Sequence, residues 1–152
     1  MGTLNARRIR ISQRMFLIDT NVISELRKRE NANPGVKVFF EQSVADEAPV
    51  FISVVTVGEL RRGVELIRHR GDNPQAQRLE QWLASLLTDY QDCILDITPD
   101  IAQLWGRLRV PRPEHALDKF IAATALIYDL KVVTRNHKDF RATGVEFINP
   151  FR

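Results

Sequence analysis

The sequence predicts an α/β domain in which short, buried strands run parallel and hand over directly to helices. Three stretches predict it. Met15-Phe16-Leu17-Ile18 ends abruptly in Asp19-Thr20-Asn21, Val50-Phe51-Ile52-Ser53-Val54-Val55 runs into Thr56-Val57-Gly58-Glu59, and Leu130-Lys131-Val132-Val133 runs into Thr134-Arg135-Asn136. Each is a brief apolar run rich in branched or aromatic residues, which suits a strand covered on both faces, and each switches to polar side chains where a ligand site is expected. With 152 residues and 44% hydrophobic composition, the chain can bury a real core as one compact domain.

Taken in order, residues 1–14 carry Arg7, Arg8, Arg10 and Arg14 with no acidic residue and little to form a core, so they are expected to be a basic, disordered extension, with the domain occupying 15–152. They lack the apolar centre of roughly 7 to 15 residues that a secretory signal needs. After the first strand, Thr20 or Asn21 can cap a helix with apolar positions Val22, Ile23 and Leu26 that fades in Arg27-Lys28-Arg29-Glu30. Asn33-Pro34-Gly35 marks a turn, Val36 to Val44 a short helix, and Ala48-Pro49 a break before the second strand. A helix starting at Thr56 repeats Leu60, Val64 and Ile67 at helical spacing.

Gly71-Asp72-Asn73-Pro74 supplies an Asn cap and a first-turn proline for a long helix to about Tyr90, whose stripe Leu79, Trp82, Leu83, Leu86, Leu87 and Tyr90 marks core or dimer packing. Cys93 to Ile97 is the third strand, and Thr98-Pro99 opens a helix buried along Ile101, Leu104, Trp105 and Leu108. His115 to Tyr128 is nearly apolar all round, the pattern of a buried helix, and Val145 to Ile148 adds a last strand.

Composition narrows the function classes. The single cysteine, Cys93, cannot form an internal disulfide, and no apolar run approaches the roughly 20 residues of a membrane span, so a soluble, cytoplasmic protein with no membrane role is expected. A formal charge of +3 permits an anionic partner. His69, His115 and His137 lack zinc-ligand spacing and are assigned no metal role.

The candidate chemistry lies in carboxylates at the strand-to-helix edges. Asp19 and Glu59 follow the first two strands, Asp118 lies early in the apolar helix, and Asn136 or Asp139 follows a fourth edge. Each has a plain structural alternative. Asp19 can be only a cap, and Thr56-x-x-Glu59 is the spacing of a capping box. Asp118 needs a partner, because unpaired charge in an interior is costly. Together they form a set of hard oxygen ligands suited to Mg²⁺, with Mn²⁺ as a substitute, and such clusters commonly run phosphodiester hydrolysis through a metal-activated water.

These residues also carry a family resemblance. The segments Leu17-Ile18-Asp19-Thr20-Asn21-Val22-Ile23-Ser24-Glu25-Leu26, Thr56-Val57-Gly58-Glu59-Leu60-Arg61-x-Gly63, Asp118-x-x-Ile121-Ala122-Ala123-Thr124-Ala125 and Thr134-Arg135-Asn136-x-x-Asp139-Phe140 occur in the order found in PIN-domain ribonucleases. The sequence resembles in particular the VapC and FitB-like toxins of type II toxin–antitoxin pairs. The resemblance implies a three-layer α/β/α sandwich around a central, mostly parallel sheet. It implies a Mg²⁺-dependent endoribonuclease with Asp19, Glu59 and Asp118 as catalytic metal ligands, and Asn136 at a fourth position that is often Asp in the family. Thr20, Asn21, Thr134 and Asp139 are expected to support the site, and Arg61, Arg62, Arg112 and Arg135 to hold RNA phosphates. The implied partners are a VapB/FitA-like antitoxin, a second copy of the chain in a homodimer, an RNA substrate, and operator DNA only through the antitoxin. The alternative is a catalytically weak domain acting chiefly as an antitoxin-dependent co-repressor.

Overall fold

The computed structural model describes residues 15–152, so the expected basic extension at 1–14 lies outside the described residues. Five strands, β1 (Phe16–Ile18), β2 (Val50–Ser53), β3 (Ile94–Leu95), β4 (Lys131–Val133) and β5 (Phe147–Ile148), form one parallel sheet in the order β3-β2-β1-β4-β5. The first strand is therefore central, pairing Leu17 with Phe51 on one side and with Val132 on the other. The helices are α1 (Thr20–Ile23), α2 (Pro34–Ala45), α3 (Val54–His69), α4 (Asn73–Asp89), α5 (Pro99–Leu108), α6 (Ala116–Tyr128) and α7 (His137–Phe140). A 3₁₀ segment, Ser24–Asn31, continues from α1.

Alternation along the strands divides the core between two faces. Ile18, Ile52 and Val133 join Val22, Ile23, Val36, Leu60, Val64, Leu83 and Leu86 on one side. Leu17 and Val132 join Ile121, Ala122, Ala125, Leu130, Phe140 and Val145 on the other. The result is the expected three layers, with α1 to α4 on one face and α6 and α7 on the other.

Several local expectations are corrected. The first helix is capped by Asp19 itself, not by Thr20 or Asn21, and gives way to 3₁₀ geometry after one turn, with Arg29 at φ 53. Helix α3 starts at Val54, two residues before Thr56, because the Ser53 hydroxyl accepts from the Val55 N–H. Asp72 rather than Asn73 caps α4, accepting from the Gln75 N–H. The third strand is only Ile94–Leu95, because Gln91–Cys93 forms a 3₁₀ turn. Leu83 and Leu86 are core residues of the monomer, leaving only the half-buried members of that stripe near solvent.

Helix α6 is not enclosed all round. Its middle, Ile121 to Ala125, is buried, and the small alanines let it approach the sheet, while Leu117, Leu126, Ile127 and Tyr128 are exposed on its outer turns. Helix α5 packs on it through Trp105, whose ring stacks on Phe120 at 4.2 Å and whose Nε1–H donates to the Ala116 carbonyl at 2.9 Å. Among the described residues, no helix is long and apolar enough to cross a membrane.

The start of α2 gives a first prediction. Asn33 holds the C-terminal tail, donating from Nδ2 to the Arg152 carbonyl at 2.9 Å and accepting from the Arg152 N–H at 3.2 Å. This clasp seats the Pro150 carbonyl against Gly35, where an added methyl would overlap it and approach Arg152 Cγ at 2.8 Å. Gly35→Ala is expected to destabilise the fold by about 1–3 kcal/mol, the usual cost of overpacking. Thermal unfolding checks this as a midpoint lowered by several degrees.

Candidate acidic active site

The sheet changes its winding direction between β1 and β4, and the crevice at the carboxyl ends of these strands is where open α/β sheets bind ligands. Asp19 leaves β1 at this point and Thr134 leaves β4. The Thr134 hydroxyl donates to Asp19 Oδ2 at 2.8 Å and accepts from the Asn136 N–H at 2.9 Å. The other carboxylate oxygen, Oδ1, accepts from the Thr20 N–H at 2.8 Å, which is the α1 cap, and Asn21 Nδ2 approaches Oδ2 at 3.3 Å. Asn21 Oδ1 in turn accepts from the Arg135 N–H at 3.1 Å, tying the two strand ends together.

Glu59 reaches the same edge from α3. It is not folded back as a capping residue: its Oε1 accepts the Thr20 hydroxyl proton at 3.0 Å, and Thr56 Oγ1 lies 3.2 Å from that hydroxyl. Thr20 thus links the first two carboxylates, through its N–H to Asp19 and its side chain to Glu59. Beside them opens a cavity of about 310 Å³ between α3 and α4, with Leu60, Val64, Leu79 and Trp82 as walls and Arg27 and Arg70 at its margins.

Asp118, one turn into α6, completes the group. Burial and then the like charges of Asp19, Asp139 and Glu59 push its carboxyl up to about 6, with His115 opposing the shift. Burial also pushes Asp19 above the ordinary carboxylate range, against the hydrogen bonds from Thr134, Thr20 and Asn21, and the Glu59 charge adds to the rise. Among the described residues, no Lys or Arg side chain pairs with Asp19, Glu59 or Asp118. Lys119, next in sequence to Asp118, is buried and donates instead to the Arg112 carbonyl. Carboxylates gathered without a Lys or Arg partner fit a divalent cation. The group whose ligand atoms lie within 4.8 Å of one another is His115, Asp118 and Asp139, and Asp19 and Glu59 lie outside that group along the same edge.

The remaining sequence candidates divide. Asp139 lies with Asp118, a carboxylate oxygen of each falling within 4.8 Å of the other and of a His115 ring nitrogen. Asn136 enters through its backbone N–H, and its side chain makes no capping bond to α7. Arg135 sits at the rim with its guanidinium 4.9 Å from the centre of the Phe151 ring. Arg61 is committed elsewhere, paired with Glu80 at 2.7 Å and Glu65 at 3.6 Å, in a network that Arg68 extends. Arg62 is exposed on α3 and Arg112 on the loop before α6. His115, to which the sequence assigned no metal role, is instead brought into the group with Asp118 and Asp139, one helical turn before Asp118, a spacing that the sequence does show.

Comparison with known proteins agrees with this geometry. A family model described as PIN domain matches residues 16–146. The toxin FitB of Neisseria gonorrhoeae is 35% identical over 143 residues, covering 90% of this chain and 99% of that protein. The VapC ribonuclease Y4jK of Sinorhizobium fredii is 31% identical over 140 residues, covering 90% and 98%. The solved structure of FitAB bound to the IR36 DNA fragment aligns with a TM-score of 0.71 at 33% identity, covering 91% of this chain and 96% of that one. The carboxylates at the winding switch, the five parallel strands that carry them and the match over most of the length agree: the chain belongs to the PIN domain family.

Proposed function

We propose that this chain is the toxin of a type II toxin–antitoxin pair and acts as a metal-dependent endoribonuclease hydrolysing RNA phosphodiester bonds. The observation that carries the reading is the gathering of Asp118 and Asp139 with His115, their ligand atoms within 4.8 Å of one another, at the strand edge that also carries Asp19 and Glu59, with no Lys or Arg paired to them among the described residues. Asp118 and Asp139, with Asp19 and Glu59 along the same edge, would hold a divalent cation such as Mg²⁺ or Mn²⁺, which would supply activation of a water and stabilisation of negative charge on the phosphate.

The chain's own residues supply rigidity and placement. Asp19 is fixed by three donors from Thr20, Asn21 and Thr134, so its oxygens need little reorganisation to meet a cation. Thr20 holds Glu59 against the same edge. Asp139 supplies the fourth carboxylate, while neutral Asn136 fixes the turn through Thr134. Arg135, Arg62 and Arg112 remain available to RNA phosphates, whereas Arg61 serves the α3–α4 contact. The apolar cavity beside Glu59 is suited to side chains of a FitA/VapB-like antitoxin, which would cover the acidic edge and carry the pair to operator DNA. The exposed apolar residues of α6 support self-association as a homodimer.

Purified chain is expected to cut RNA with Mg²⁺ or Mn²⁺ and to stop on chelation. Cleavage unaffected by chelator would overturn the metal-dependent mechanism, and absence of any divalent-dependent turnover would favour the co-repressor alternative.

A further inference from the structure

The acidic edge carries one nitrogen donor. His115 precedes α6 in a left-handed conformation, φ 57 and ψ 44, and its side chain makes no capping bond to the helix it introduces. Its Nε2 lies 3.7 Å from Asp139 Oδ1, too far for a hydrogen bond, and the ligand atoms of His115, Asp118 and Asp139 all fall within 4.8 Å of one another. The imidazole therefore faces two carboxylates without a direct hydrogen bond to either. Two metal–ligand bonds of about 2.1 Å separate their ligand atoms by at most about 4.2 Å, so one cation can bridge a gap of the His115–Asp139 kind. The His115 side chain is about half exposed, which leaves it free to turn towards Asp118.

We infer that His115 is a nitrogen ligand of the divalent ion and biases this site towards a first-row transition ion, Mn²⁺, over Mg²⁺. The inference rests on the metal-dependent reading above and deepens it. Mg²⁺ binds hard oxygens and gives up water reluctantly, whereas imidazole suits first-row transition ions, the later ones most. Mn²⁺ stands at the weak end of that series and also accepts carboxylates, yet gains more from a nitrogen than Mg²⁺ does. An imidazole thus adds affinity for Mn²⁺ and little for Mg²⁺.

The test is pulsed electron paramagnetic resonance on Mn²⁺-loaded, untagged full chain labelled with ¹⁵N-histidine, together with titration of Mn²⁺ and competition by Mg²⁺. Nitrogen coupling to Mn²⁺ is expected in the parent and in His69→Gln, and its loss in His115→Gln. Mn²⁺ affinity is expected to fall about tenfold in His115→Gln while Mg²⁺ affinity changes less than twofold, the scale on which single groups around metal sites act. A parent spectrum without nitrogen coupling, or an equal loss of both ions, overturns the inference. If Mn²⁺ binds through oxygen alone and chelation still stops RNA cleavage, only the His115 assignment falls. If neither ion binds, the metal-dependent reading falls with it.

Discussion

Asp19→Asn is expected to lower divalent-dependent RNA cleavage by at least about a hundredfold while leaving the fold intact. Groups that only support metal ligands typically cost about ten- to a hundredfold when removed, so a ligand itself should cost at least as much. The substitution is conservative where the fold needs Asp19. An amide oxygen can still accept the Thr20 N–H that starts α1, and the Thr134 hydroxyl can rotate to accept from the new amide. Unfolding midpoints should therefore agree within a few degrees. Asp19→Ala makes the contrast: it removes a cap worth about 1 kcal/mol and strips the Thr134 and Asn21 donors of their acceptor. Cleavage assays beside thermal melts separate the two. Equal cleavage by parent and Asp19→Asn would remove Asp19 from the reaction.

Asp118→Asn should do the opposite to stability and the same to activity. Its carboxyl is raised to about 6 in the folded chain from an ordinary value of 3.8, so the folded state holds the proton to higher pH than the unfolded state does. That contribution to stability is complete below about pH 4 and is lost as pH rises through about 6. At neutral pH without metal, the parent carries the ionised group among Asp19, Asp139 and Glu59, and the amide variant does not. Metal-free Asp118→Asn should melt above the parent at pH 7.5, by a few degrees once solvent screening of this half-exposed group is allowed for, and the difference should vanish near pH 4. Added divalent ion should raise the parent's midpoint and reverse the order. A variant less stable than metal-free parent at pH 7.5 would show that the gathered negative charge is not what strains Asp118.

How much of this was legible in the sequence depended on how local each signal is. The ends of the first and fourth strands at Asp19 and Thr134 showed as apolar runs ending in polar residues, whereas the pattern of the second strand reads through to Val55 and the strand ends at Ser53. Alternation along these short strands covers both faces of the sheet. Caps were misplaced because several capping residues compete within a few positions. Ser53 rather than Thr56 opens α3, which frees Glu59 to meet Thr20 from 39 residues away. Spacing alone could not separate the capping box from the acidic edge for Glu59, the two alternatives the sequence left open; the bond to Thr20 excludes the first. The commitment of Arg61 to Glu80 and the approach of His115 to Asp139 depend on packing between separate helices, which neither composition nor spacing reveals. The apolar character of α6 was overread, since a helix lying on one sheet face can leave Ile127 and Tyr128 in water.

The central position of the first strand sets a timetable for synthesis. Phe16 to Ile18 must wait for Lys131 to Val133 before its second edge is paired, and Asp19 waits for the Thr134 hydroxyl, 115 residues downstream. A ribosome that has delivered only the helices of the first face has made a chain with one side of its innermost strand open and its leading carboxylate without that support. Catalytic competence should therefore arrive only after Thr134 has emerged, so products of translation interrupted before that residue would be harmless to the cell that makes them.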